Sequence, residues 1–94
     1  MGIPRVYADF QKLDDNGRLI LTTAGSQKDL QRIRGTLCNG LHVVFYSDDI
    51  GQGEMPDDLE VEGELLFDPN AMSWIGVFDA TGFRHASERN VREI

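Results

Sequence analysis

The chain of 94 residues contains a single cysteine, Cys38, and no long apolar run. One cysteine excludes an intramolecular disulfide and a zinc site built from several cysteines, and we therefore expect a reducing cytoplasm. No segment approaches the roughly 18 apolar residues of a membrane helix, because His42 and Gly76 interrupt the two most apolar stretches. Residues 1–6 lack the charged-then-apolar pattern of an export signal, so we expect neither export nor a lipid anchor.

Basic residues are missing from the middle of the chain. Residues 35–83 contain ten Asp or Glu and no Lys or Arg, whereas the rest of the chain carries a net +3 within the total of −7. A negative field of this extent repels nucleic-acid phosphates and anionic lipid, and it attracts a basic protein or a cation. The composition therefore predicts no nucleic-acid or membrane partner. The structural alternative is that these acids only keep a small domain soluble.

Turn signals divide the chain into short apolar segments that alternate as strands do. The Asp14-Asp15-Asn16-Gly17 turn predicts a hairpin between residues 5–12 and 18–23. Further strands are predicted at 41–47, 59–67 and 72–79. Ser26 predicts the cap of one short helix that closes at Gly35 in the left-handed conformation and covers one end of the sheet.

This pattern predicts a mainly β fold: a small SH3-like partly open barrel of five or six antiparallel strands with one short helix. Gly63 and Gly76 suit the points where such a barrel bends sharply. Residues 1–85 are predicted to form a single domain, and residues 86–94 a flexible tail. The sequence gives no indication of oligomeric state.

Several short motifs together resemble a group of small uncharacterised bacterial proteins. They are Tyr7-x-Asp9-Phe10, Gly17-Arg18-x-x-Leu21, Asp29-Leu30, Gly40-Leu41, Tyr46-Ser47-Asp48-Asp49, Val61-x-Gly63, Trp74 and Arg84-His85. The resemblance covers nearly the whole chain and implies no particular activity. The strand layout also resembles SH3-like barrels in general, a fold that serves protein docking, nucleic-acid binding and peptide recognition.

Three glutamates, Glu60, Glu62 and Glu64, alternate with apolar residues on the strand predicted at 59–67. Alternation places them on one face about 7 Å apart, where they repel one another unless a cation faces them. That cation would be Arg18, Lys12 or one of the arginines from Arg84 onward, and the alternative is that water alone compensates the charge. With Asp48 and Asp49, this stripe predicts a docking surface for a basic protein or peptide.

Two other sites are alternatives to the acidic surface. Tyr7 and Tyr46 lie opposite the apolar positions of their strands and, with Trp74, are predicted to form a peptide-docking groove. The loop between residues 48 and 58 suggests a divalent-cation site, because oxygen ligands suit hard cations, although its spacing differs from that of an EF-hand. The ligands there would be Asp48, Asp49, Asp57 and Asp58.

Catalysis is the least favoured reading of the sequence. The residues that supply nucleophiles and bases are Cys38, His42, Ser47, Asp79, His85 and Ser87. Their spacing matches neither a nucleophile elbow, nor a helical zinc pair, nor a phosphate-binding glycine loop. Asp79 and His85 flank the last predicted bend and are expected to hydrogen-bond to each other as a latch. We therefore predict no enzyme activity and no cofactor, with a small hydrolase as the third alternative.

Overall fold

A computed structural model describes residues 2–47 and 58–85. The predicted mainly β class with one short helix is confirmed. The strands are β1 (Arg5–Tyr7), β2 (Leu19–Ile20), β3 (Leu41–Ser47), β4 (Leu59–Asp68), β5 (Ser73–Phe78) and β6 (Arg84–His85). The α-helix, α1, spans Ala24–Arg32, and short 3-10 helices span Arg34–Thr36 and Ala80–Gly82. The predicted tail at 86–94 lies outside the described residues.

The strands form one curled sheet, a half-barrel, in the order β1-β3-β4-β5-β2, and β6 pairs with β4. Every pairing is antiparallel except that of β1 with β3, which is parallel. The expectation of antiparallel strands throughout is therefore wrong at β1. After β1 the chain runs through β2 at the far edge and through α1 before it returns as β3 in the same direction. None of the helices in the described residues has the length and apolar character to cross a membrane.

The turn predicted at residues 14–17 is confirmed, but the hairpin it was expected to close is short. Gly17 takes a φ of 76°, and Asp14 Oδ1 accepts hydrogen bonds from the backbone N–H groups of Asn16 and Arg18. Beyond this turn the two arms share one isolated bridge, Leu13 to Leu19. The predicted strand 5–12 instead contributes β1 to the opposite edge of the sheet.

The core is centred on Phe45, which is fully buried on β3. Two glycines make room for its ring: a Cβ at Gly76 would lie 2.5 Å from Phe45 Cζ, and one at Gly63 would lie 2.9 Å from Phe45 Cε2 and 2.1 Å from the Val77 carbonyl oxygen. Any larger residue at either position would push the strands apart. Both glycines thus lie where the sheet closes around its central side chain. Around Phe45 pack Val6, Ala8, Leu19, Leu21, Leu30, Val43, Val61 and Leu65.

Helix α1 begins one turn earlier than predicted and ends differently. Thr23 is the N-cap, and its hydroxyl oxygen accepts a hydrogen bond from the Ser26 N–H, whereas Ser26 itself is buried in the first turn. Gly35 lies within the 3-10 helix and does not have a positive φ, so the predicted left-handed cap is wrong.

Polar side chains of α1 bond the backbone of β1. Ser26 Oγ donates to the Tyr7 carbonyl, Asp29 Oδ2 accepts from the Tyr7 N–H at 2.9 Å, and an Arg32 N–H donates to the Arg5 carbonyl at 3.2 Å. The backbone of β1 pairs with β3 through every second residue. The Arg5 carbonyl and the Tyr7 N–H and carbonyl therefore lie on the edge of β1 that faces away from β3. The helix is therefore attached to the strand by hydrogen bonds as well as by Leu30, which is buried in the core.

Candidate docking face

The side chains opposite the core form a surface that we call the outer face. The strand register determines its members, because paired residues project on the same side of the sheet. Tyr7 pairs with Tyr46, Tyr46 with Glu60, and Glu60 with Arg84. The residues of the outer face used below are Arg5, Tyr7, His42, Tyr46, Glu60, Glu62, Glu64, Val77 and Arg84. Asp58, which precedes β4, is counted with them because it forms an ion pair with Arg5.

Glu60 is fully buried, with 0% of its side chain exposed, so the prediction of three exposed glutamates is wrong for this residue. Parallel pairing brings Arg5 to it, with Arg5 Nη2 2.8 Å from Glu60 Oε2. On the other side, β6 brings Arg84 Nη2 to 3.5 Å from Glu60 Oε1. Arg5 also contacts Asp58 at 3.1 Å. The carboxylate is thus enclosed by two guanidinium groups and is part of the structure of the sheet.

Glu62 is exposed but not isolated. Its Oε1 lies 3.0 Å from His42 Nε2, and its Oε2 lies 3.5 Å from Arg84 Nη2. The hydrogen bond with His42, helped by the charge of Arg84 and opposed by slight burial, lowers the pKa of Glu62. It therefore remains ionised in moderately acidic solution.

Glu64 is exposed, and residues 2–47 and 58–85 contain no ion pair to it. The residue opposite it on β5 is Val77, which is 37% exposed. On the other side it pairs with His42 of β3. A carboxylate without an ion pair among the described residues and an exposed apolar side chain are therefore neighbours at this part of the outer face.

The negative charge of this face is partly compensated. Four carboxylates, those of Asp58, Glu60, Glu62 and Glu64, stand against the two guanidinium groups of Arg5 and Arg84, which leaves two negative charges in excess. Of the cations expected to provide compensation, Arg84 of β6, the first arginine of the C-terminal segment, does so. Arg18 instead pairs with Asp14 at 2.7 Å and Asp68 at 3.5 Å.

Tyr7 and Tyr46 lie together at one end of the outer face, as predicted. Their rings meet edge to face with centroids 5.7 Å apart, and the Arg5 guanidinium lies 4.2 Å from the Tyr46 ring centroid. With residues of α1 they line an open cleft of about 530 Å³. The cleft is lined by Tyr7, Thr23, Gly25, Lys28, Asp29 and Tyr46.

Trp74 does not belong to this cleft, so the predicted three-aromatic groove is wrong. It pairs with Phe67 on β4, and their rings are 5.4 Å apart. Phe67 is seven residues along β4 from Glu60, which pairs with Tyr46. At about 3.3 Å per residue the separation is about 23 Å. Trp74 packs partly against the other end of the core.

Asp29 is the residue of the cleft that sequence reasoning missed. It is 8% exposed and accepts hydrogen bonds from Tyr46 Oη at 2.9 Å, the Tyr7 N–H at 2.9 Å and Arg32 at 3.0 Å. Burial opposes ionisation, but these bonds outweigh it and lower the pKa of Asp29. Burial and the same bond to Asp29 raise the pKa of Tyr46. The available signal was that Asp29 lies one turn from Ser26 and adjoins Leu30, at the buried side of α1.

Two further candidate residues, Asp79 and Asp58, have structural partners among the described residues. Asp79 Oδ1 accepts from the Thr81 N–H at 3.0 Å and from the Thr81 hydroxyl at 2.8 Å, and so caps the second 3-10 helix. Of the predicted cation ligands, Asp58 is bound by Arg5, whereas Asp48, Asp49 and Asp57 lie outside the described residues. The part of the chain that is described contains no group of three or more His, Cys, Asp or Glu able to hold a metal ion.

Comparison of the chain with protein-family models, with curated proteins and with solved structures finds no match.

Proposed function

We propose that the chain is a non-catalytic docking module whose outer face binds a basic protein or peptide. The observation that supports this is the exposed pair Glu62 and Glu64 on one side of β4, with Val77 beside Glu64. An exposed ion pair contributes only roughly 0.2–1 kcal/mol, so charge by itself gives little affinity. A partner that carries Lys or Arg next to an apolar side chain would use both kinds of contact.

The wider charge distribution supports a basic partner over a neutral one. The described outer face has two negative charges in excess, and residues 35–83 add further acids without one Lys or Arg, among them Asp48 and Asp49. Such a field accelerates encounter with a cationic surface. The tyrosine cleft is less suited to a cationic side chain, because Lys28 is one of its lining residues and the Asp29 carboxylate already accepts three hydrogen bonds. We therefore centre the docking site on Glu62 and Glu64.

The burial of Glu60 decides which variants can test this proposal, since replacing it would disturb the fold. Glu64→Lys changes an exposed residue without an ion pair among the described residues. Asp15→Lys is the matched control, because it alters the net charge by the same amount at an exposed turn outside the outer face. Both variants keep Glu60 and its two arginines.

The experiment is a titration of the protein with a short helical peptide of lysine and leucine, followed by backbone amide resonances. We expect shifts at Glu62, Glu64, His42 and Val77. Glu64→Lys should weaken binding about threefold to tenfold, in line with the loss and reversal of one exposed charge, whereas Asp15→Lys should leave it nearly unchanged. Equal weakening by both variants would mean that only net charge attracts the peptide, and the docking site would be refuted.

We also propose the cytoplasm as the compartment, and a reducing environment there would keep the exposed thiol of Cys38 free.

A further inference from the structure

The tyrosine cleft, the open cleft between α1 and the pair Tyr7 and Tyr46, is bounded by side chains that are fixed in place. A Cβ at Gly25 would lie 2.8 Å from Tyr7 Cδ2, so any larger residue there would push the ring off the first turn of the helix. The Tyr46 hydroxyl donates to Asp29 at 2.9 Å, and the Arg5 guanidinium lies 4.2 Å from the Tyr46 ring centroid. A cleft of about 530 Å³ with aromatic walls already in place binds a ligand without the cost of ordering them.

One side of α1 supplies the charged groups of the cleft. Lys28 and Asp29 lie three and four positions after Gly25, a spacing that places all three on the same side of the helix. Asp29 is occupied, because its carboxylate already accepts three hydrogen bonds. Lys28 is exposed and has no ion pair among residues 2–47 and 58–85. The charge available to a ligand at the described lining residues is therefore positive.

The hydroxyl of Tyr7 is a second group available to a ligand. It forms no hydrogen bond within the part of the chain that the structure describes, and it is not one of the buried polar atoms without a partner there, so it is open to solvent. A phenol hydroxyl donates or accepts, whereas the ammonium group of Lys28 only donates. These two groups suit a ligand with oxygen acceptors, and a carboxylate has two of them together with a negative charge.

The charge balance at the cleft differs in sign from that of the whole chain. Five of the six lining residues belong to residues 1–34, which contain six Lys or Arg and four Asp, a net +2 within the total of −7. The acid that lines the cleft, Asp29, is paired with Arg32 at 3.0 Å. Beside Tyr46, the buried Glu60 is paired with Arg5. An anion at Lys28 therefore meets acids whose charge is already compensated.

We propose that the tyrosine cleft binds a carboxylate attached to an aromatic ring, as in a free aromatic acid or in the C-terminal aromatic residue of a peptide. The ring packs against Tyr7 and Tyr46, which already meet edge to face with centroids 5.7 Å apart. Lys28 and the Tyr7 hydroxyl bind the carboxylate. This inference rests on other side chains than the proposed docking of a basic partner at Glu62 and Glu64, so either can fail without the other.

The test is a titration of the full chain with phenylacetate, followed by backbone amide resonances. Phenylacetamide and phenethylammonium are the matched ligands, because they carry the same ring with no charge or with a positive charge. We expect a Kd on the order of 1 to 10 mM for phenylacetate, with shifts at Tyr7, Gly25 and Lys28, and binding of the other two ligands that is weaker by about tenfold or more.

A second ligand distinguishes the two sources of the carboxylate. It is an acetylated tripeptide that ends in a free phenylalanine carboxylate. Shifts at the same residues would assign the cleft to the C-terminus of a peptide. If only phenylacetate causes them, the cleft is assigned to a free aromatic acid.

Three variants locate the site. Lys28→Gln should weaken the binding of phenylacetate about threefold to tenfold, whereas Lys12→Gln, the same change at an exposed residue that does not line the cleft, should leave it unchanged. Tyr7→Phe should weaken binding about threefold and leave the Tm unchanged, because the hydroxyl has no hydrogen-bond partner in the described residues.

Three results would overturn the proposal. The first is the absence of saturable shifts at phenylacetate concentrations up to about 50 mM. The second is binding of phenylacetamide or phenethylammonium that equals or exceeds that of phenylacetate, since the cleft would then not recognise a negative charge. The third is equal weakening by Lys28→Gln and Lys12→Gln, which would mean that the anion responds to net charge alone.

Discussion

Replacing Glu60 should cost far more stability than replacing any other glutamate of its strand. Glu60→Gln keeps the shape of the side chain but removes the charge that Arg5 and Arg84 enclose at 2.8 and 3.5 Å. Breaking a fully buried ion pair costs about 3 to 5 kcal/mol. Here the loss is reduced because Arg5 keeps Asp58 and Arg84 keeps Glu62. We expect a loss of about 3 kcal/mol in the free energy of unfolding, or about 12 to 24 °C in Tm.

The assay is denaturant unfolding followed by circular dichroism, with Glu64→Gln as the matched control. Glu64→Gln is the same chemical change at an exposed site, and we expect it to alter the free energy of unfolding by no more than about 0.5 kcal/mol. The gap between the two variants should persist in high salt, because a buried interaction is screened much less than an exposed one. Equal losses in the two variants, or a gap that disappears in salt, would refute the claim that Glu60 is held by its arginines.

Two further predictions concern the core and the helix. Gly76→Ala should destabilise the fold by about 2 to 3 kcal/mol, because its Cβ would lie 2.5 Å from the ring of Phe45. In the control variant Gly35→Ala the new Cβ meets nothing within 4 Å, and its effect should be close to neutral. Equal denaturation midpoints of the two variants would contradict this prediction. Because the pKa of Asp29 is lowered in the folded protein, its carboxylate takes up a proton at a higher pH in the unfolded chain than in the folded one. The contribution of Asp29 to the free energy of unfolding is therefore fully present above about pH 5 and is lost as the pH falls through the folded pKa. Asp29→Asn should flatten this part of the acid unfolding curve, and an unchanged slope would show that Asp29 does not contribute.

Local patterns predicted most of the sheet. The strand β3 has the predicted bounds, β4 is one residue longer than predicted, and β5 is one residue shorter at each end. Alternation and turn residues determine such elements because both act over a few positions along the chain. The sequence also singled out Gly63 and Gly76, but as points where a barrel bends sharply; the structure shows that they make room for the ring of Phe45.

The candidate site depended on contacts that no local pattern contains. Arg5 and Glu60 are 55 positions apart, and they meet only because β1 joins the sheet in parallel. Alternation assigned Glu60 correctly to the face opposite the core, but it could not show that arginines would cover that part of the face. Asp29 was missed for the same reason, because its role depends on Tyr7 and Tyr46, which are 22 and 17 positions away.

The hydrogen bonds from α1 to β1 have a consequence for solubility. A strand at the edge of a sheet offers free N–H and carbonyl groups to which a strand of another molecule can add. Here Ser26, Asp29 and Arg32 occupy those groups on β1, so the helix takes the place of the next strand without continuing the ladder. Loosening the helix would therefore expose a template for pairing between molecules. A substitution at Asp29 should therefore cause aggregation under conditions in which the sheet is still folded.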